Sequence, residues 1–178
     1  MKGISRKVWA WALYDWANSA FAVIVMAGFF PVFFKDYWSG DVENNVSTFR
    51  LGMANSLSGL VVVLLAPLLG AIADQGGTRQ RFLFLFALMG STMTVCLHLV
   101  EQGAWELAIL VYTAATVSFS MANTFYDSLL SDVAPPERAD AISSLGYGLG
   151  YLGGGLIFAL HLYACLLYTS DAADEEDS

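Results

Sequence analysis

The chain is poor in charge. Only 13% of its 178 residues are Asp, Glu, Lys or Arg, about half the share of an average soluble domain. Basic residues are the scarcest, eight against sixteen acids, and they form no field that would attract nucleic acid. Cys96 and Cys165 stand in apolar surroundings without metal-like spacing. This excludes a disulfide framework and a zinc site, and both are expected as small buried hydrophobes. His98 and His161 are single residues near the ends of apolar runs, with interfacial packing as the default role and proton relay as the alternative. There is no P-loop, no HExxH and no Ser-His-Asp set. No ATP-driven pump, no enzyme, no metal and no cofactor is therefore expected. What fills the chain is hydrophobic residue, 57% of the total, gathered in long blocks. That content excludes disorder and argues against a soluble globular domain.

Five stretches carry little or no charge: residues 8–34, 51–73, 82–100, 107–126 and 141–163. Each is near the roughly 20 residues that cross a bilayer. The expected fold class is all-α, a polytopic membrane helical bundle. In the first span, Gly28 and Pro31 predict a kink near the far end. Ala20-Phe21-Ala22 resembles a signal-peptide cleavage site. The apolar stretch is too long and too rich in Trp and Phe for an h-region of about 7–15 residues, so a retained helix is expected. Trp9, Trp11, Trp16, Tyr37, Trp38 and Trp105 sit mostly near span ends, as anchoring aromatics do.

Basic residues set the expected orientation. Lys2, Arg6, Lys7, Arg79, Arg81 and Arg138 fall on one side, against Lys35 and Arg50 on the other. The N-terminus is then cytoplasmic and the 35–49 connection outside. A prokaryotic inner membrane is the preferred location and a fungal vacuole the alternative.

The net charge of −8 is mostly local: Asp171, Asp174, Glu175, Glu176 and Asp177 supply five of the acids, and without them the charge is −3. The string CLLYTSDAADE, residues 165–175, matches one reading frame of an adapter used in transposase-based sequencing libraries. Residues 165–178 are therefore expected to be non-native, with the natural protein continuing past Ala164. A genuine acidic tail is the alternative.

An acid inside a membrane helix is expensive and usually faces a cavity or a partner. Asp15 lies inside the first span, with Asn18 one turn further on the same face. The fourth span carries Thr113, Thr116, Ser120, Asn123 and Asp127 at steps of three and four, a continuous polar stripe on a helix. Asp15, Asn18, Asn123, Tyr126 and Asp127 are candidate residues of a solute path, and one of the two acids is a candidate for proton coupling. The competing readings are structural pairing with other helices, a headgroup position for the acids, and back-bonding of Thr and Ser to their own helix.

The connection after span two reads GAIADQGGTRQR. An acid ends a helix, a Gly-Gly turn reverses the chain, and arginines able to pair with the acid follow. Gly70, Asp74, Gly77, Arg79 and Arg81 form a candidate conformational latch loop. This loop resembles the signature between helices two and three of major facilitator superfamily transporters, although Thr78 stands where that family often has Arg directly after the glycine. YDWANSAF, residues 14–21, and NTFYDSLLSDVAPPERADAISSLGYGLGYLGGG, residues 123–155, resemble the vacuole-effluxer-like branch of that superfamily. The resemblance implies the first five of twelve helices and a secondary transporter of a small polar organic solute working by alternating access. Its fungal members export amino acids, so amino acid efflux is the candidate activity. The implied partners are the bilayer, the solute, protons and the remaining C-terminal helices, without which the chain is expected to be inactive. In span five, Gly146, Gly150 and Gly154 have small-xxx-small spacing and are expected to pack helices closely. A non-transporting scaffold or receptor, and an intramembrane enzyme using the two acids as a pair, are the other function classes.

Overall fold

A computed structural model describes the backbone of residues 5–176 and the side chains up to residue 167. Lys2 and the acids from Asp171 to Asp177 lie outside the residues whose side chains are described. All regular structure among the described residues is helical. Five helical spans are long and apolar enough to cross a membrane: Arg6–Trp38, Asn44–Gly76, Arg79–Leu99, Trp105–Val133 and Pro136–Leu167. Four of them contain their expected stretch and run past it at one end or both, while the third begins three residues before its stretch and stops one residue short of Val100, which is extended. The apolar runs mark the bilayer-buried part, and helical hydrogen bonding continues into the flanks. The chain divides into two compact units. One holds the chain through Gly28 and from Glu137 onward, the other Phe29–Pro136.

In the first unit, α1 (Arg6–Ala20) packs against α7 (Ala139–Glu176). Ser5 caps α1, its Oγ accepting the Val8 N–H at 3.3 Å. The crossing is made by glycine. A Cβ at Gly153 would overlap the Trp16 carbonyl and lie 2.5 Å from Cδ1 of the Trp16 ring. One at Gly154 would lie 2.9 Å from Val23 Cγ2. Only bare backbone allows this approach. Gly148 and Gly155 face open space. From Gly155 to Leu167 nearly every described side chain of α7 is exposed. Cys165 falls on that stretch and is exposed, while Cys96 is half-buried, so neither is the fully buried hydrophobe expected. The helix runs through Ala164 and Cys165 without a break.

The region of Gly28 and Pro31, where a kink is expected, is flanked by wide turns. Hydrogen bonding is of the i→i+5 kind over Phe21–Phe29, returns to α2 (Phe30–Phe33), and widens again over Phe34–Trp38. Proline lacks an N–H and its ring crowds the carbonyl four residues back. A wider turn accommodates that crowding within a continuous helix.

In the second unit, α5 (Trp105–Ser128) packs against both α3 (Asn44–Gly76) and α4 (Arg79–Cys96). Its most apolar window is 50% buried, against 11% for α3 and for α4. Ala73, Phe86, Val117, Met121, Ala122 and Phe125 form the core, with Val62, Leu65, Leu69 and Phe82 packed on it. Phe125 stacks on Phe82 and Phe86 at 5.1 and 6.0 Å between ring centroids. At the end that holds the 39–43 connection, Tyr112 stacks on Phe30 at 3.9 Å and donates its hydroxyl hydrogen to Asn55 Oδ1 at 3.0 Å. Trp38, at the end of its span, and Trp11 are buried, 5% and 7% exposed. Trp38 donates its indole N–H to the Val100 carbonyl at 3.2 Å.

Candidate functional site

At the other end of the second unit the GAIADQGGTRQR loop closes into a clasp. Gly77 has φ +59°, the left-handed conformation that ends a helix and that glycine adopts without steric cost. The Thr78 N–H then bonds the Ala73 carbonyl at 3.0 Å, closing the helix end with a six-to-one bond. This turn delivers Arg79 to two acceptors and a second carboxylate. Its Nε donates to Asp74 Oδ1 at 2.7 Å. Its Nη1 donates to the Ser128 carbonyl at 3.3 Å and lies 3.8 Å from Asp132 Oδ1. Ser128 is the last residue of α5, and Asp132 lies on the short α6 (Leu130–Val133) that follows it. A guanidinium has five donors in a rigid fork and can hold several acceptors at once. It also meets the negative end of the α5 dipole. One side chain thus ties the α3–α4 turn to the end of α5.

The sequence grouped Arg79 with Arg81, and the structure separates them. Arg81 is exposed and makes no ion pair among the described residues. Gly70 meets nothing where its Cβ would be, so its place in the motif carries no contact here. Ser128 and Asp132 were not singled out from sequence. A backbone carbonyl has no sequence signature, and Asp132 falls outside the motif's spacing.

The polar stripe on α5 holds as a line of residues and not as one environment. Thr113 and Thr116 are buried, Ser120 and Asn123 half-buried, and Asp127 exposed. Tyr126 is 5% exposed. Buried Ser118, off the stripe, donates its hydroxyl hydrogen to the Ala114 carbonyl at 2.6 Å.

In the first unit, Asp15 is half-buried on α1, on the side that meets α7. The position a Cβ would take at Gly150 is 2.7 Å from Asp15 Oδ2 and 2.8 Å from Ser19 Oγ. Asn18 lies one turn beyond Tyr14, whose hydroxyl is 3.5 Å from Asn18 Oδ1. Ser19 was not singled out from sequence, although it shares the face of Asp15 at four residues' spacing.

Residues 37–137 match the family model described as vacuole effluxer Atg22 like. That stretch is more than half of the chain. The chain belongs to the vacuole effluxer Atg22-like family. The span-one and span-four motifs resemble the same branch of the major facilitator superfamily. The chain is similar to the "Uncharacterized MFS-type transporter YxiO" of Bacillus subtilis, 37% identical over 171 residues, which is 94% of this chain and 39% of that protein. It is also similar to an "Uncharacterized protein" of Aquifex aeolicus, 29% identical over 147 residues, 83% of this chain and 36% of that protein. The chain thus spans well under half the length of these relatives. No solved structure matches it. Within the effluxer-like match lie the whole clasp, from Asp74 to Asp132, and all of α5. Asp15 and the glycines of α7 lie outside it.

Proposed function

We propose that this chain is the N-terminal part of a secondary transporter that moves a small polar organic solute by alternating access, with amino acids the first class to test. The observation that carries this reading is the family membership of residues 37–137, which contain the Arg79 clasp. A clasp of exposed and half-exposed charges at a helix junction can open and re-form at low cost, which a part that alternates between two states needs. Asp74, Gly77 and Arg79 serve as the latch. Asp15, Asn18, Asn123, Tyr126 and Asp127 are each proposed to face the solute, and Asp15 to couple its movement to protons. The N-terminus is cytoplasmic. Two bacterial relatives favour the prokaryotic inner membrane over a fungal vacuole.

The test starts at the DNA. The source gene is read across the Ala164–Cys165 junction with long reads and no adapter, and the open frame is expressed whole. Reconstituted in vesicles and preloaded with a mixture of labelled amino acids, the protein is expected to show counterflow of at least one of them. Asp15→Asn is expected to abolish uphill movement while leaving counterflow. Unchanged uphill transport in Asp15→Asn, with the same pH dependence, removes Asp15 from the coupling role. Absence of counterflow for every amino acid removes that substrate class. A frame that ends in DAADEEDS, with a chain that works unchanged when Asn123 and Asp127 are alanine, supports a scaffold instead.

A further inference from the structure

Six glycines stand on α7 between residues 146 and 155, and those facing α1 do not meet the same thing. A Cβ at Gly153 would strike the Trp16 backbone, and one at Gly154 would strike the apolar Val23 side chain. At Gly150 the nearest atoms are instead two polar side-chain tips, Asp15 Oδ2 at 2.7 Å and Ser19 Oγ at 2.8 Å, with Asp15 Cγ at 3.1 Å. Asp15 and Ser19 are four residues apart, so they stack on one face of α1. Both reach the spot that any other residue at 150 would occupy with its own side chain.

We propose that Gly150 is a positioning residue: its missing side chain is the seat that holds the Asp15 carboxylate and the Ser19 hydroxyl against the α7 backbone. Gly153 sets how closely the helices approach, and Gly150 sets where the intramembrane carboxylate rests. The difference follows from what would have to move. At 153 a methyl group displaces backbone, and the helices are forced apart. At 150 it displaces the ends of two short side chains, which rotate while the helices stay in place. An alanine at 150 therefore moves the carboxylate without dismantling the fold. Ser19 joins Asp15 as part of the same polar seat, a role its sequence neighbours do not reveal. This inference rests on the reading of Asp15 as a functional carboxylate and concerns its placement.

The experiment reads the carboxylate directly, with no solute needed. The chain in lipid nanodiscs is treated with dicyclohexylcarbodiimide, and modification of the Asp15 peptide is measured by mass spectrometry. Gly150→Ala is expected to raise modification of Asp15 several-fold, because the carboxylate leaves its seat. Gly154→Ala, a change of the same size on the same face, is expected to leave it at the wild-type level. Equal modification of wild type and Gly150→Ala, including none in either, overturns the proposal, as does a Gly154→Ala response matching that of Gly150→Ala. If Gly150→Ala fails to accumulate, it is combined with Asp15→Ala and Ser19→Ala. Removing the two tips is expected to restore accumulation, and a triple variant that still fails overturns the seat. Loss of the Asp15→Asn transport effect would sink the coupling role alone, since the labelling result does not depend on it.

Discussion

Arg79 is the residue on which one end of the second unit turns. Its side chain is 28% exposed and that of Asp74 is 59% exposed, at 2.7 Å between Nε and Oδ1. Water screens such a pair, and exposed pairs contribute about 0.2–1 kcal/mol. The Asp132 contact is longer, 3.8 Å, with Asp132 57% exposed. A double-mutant cycle by thermal unfolding in nanodiscs is expected to give a coupling of about 0.5 kcal/mol for Arg79→Ala with Asp74→Ala, and about zero with Asp132→Asn. Arg79→Lys is expected to behave like Arg79→Ala at Ser128, because one ammonium cannot reproduce a fork that reaches two elements. Arg81→Ala is expected to be neutral. A coupling to Asp132 that exceeds the one to Asp74 would contradict the distances. The acid, the glycine turn and the arginine were legible in the sequence because their spacing is local. The Ser128 carbonyl and Asp132 were not, because nothing in a loop motif says which distant helix end it will meet.

The helix crossing in the first unit gives glycine substitutions opposite signs. Gly153→Ala overpacks against backbone, a kind of change that costs about 1–3 kcal/mol. At Gly155 a Cβ meets nothing within 4 Å, and alanine there gains up to about 1 kcal/mol of helix propensity. Denaturant titration of the two variants in mixed micelles is expected to move the midpoint down for Gly153→Ala and up, or not at all, for Gly155→Ala. A Gly155→Ala variant weaker than Gly153→Ala would place the crossing on the wrong face. The spacing of Gly146, Gly150 and Gly154 had pointed to the packing face, and the buried glycines include all three. Gly153 escaped it because a helix of 3.6 residues per turn brings both i+3 and i+4 to the same face. The stripe on α5 was legible as periodicity but not as environment. With α3 and α4 both packed on α5, buried residues occur well beyond one stripe, so the polar residues on it range from buried to exposed.

At the scale of the whole molecule, the exposed surface is itself an argument for a bilayer. Val63 is 69% exposed, Leu68 64%, Leu85 54% and Leu88 55%, and these lie mid-span on α3 and α4. Water would charge roughly 1.5–3 kcal/mol for each such side chain, whereas lipid tails or further helices accept them. This part of the fold was the most legible in the sequence, because hydropathy over 20 residues is a one-dimensional signal. Sidedness is harder, because six basic residues against two is a bias and no contact encodes it. It is testable on α3, whose 33 residues reach about 50 Å at 1.5 Å per residue, longer than a hydrocarbon core of about 30 Å. Asn45 and Gln75 therefore stand on opposite sides of the membrane, both exposed. With Cys96 and Cys165 replaced, Asn45→Cys in intact cells is expected to react with a membrane-impermeant maleimide, and Gln75→Cys only after permeabilisation. The reverse pattern would invert the proposed topology and put the Arg79 clasp outside. Labelling of both positions in intact cells would mean that α3 does not span at all, and the family's membrane architecture would then fail in this chain.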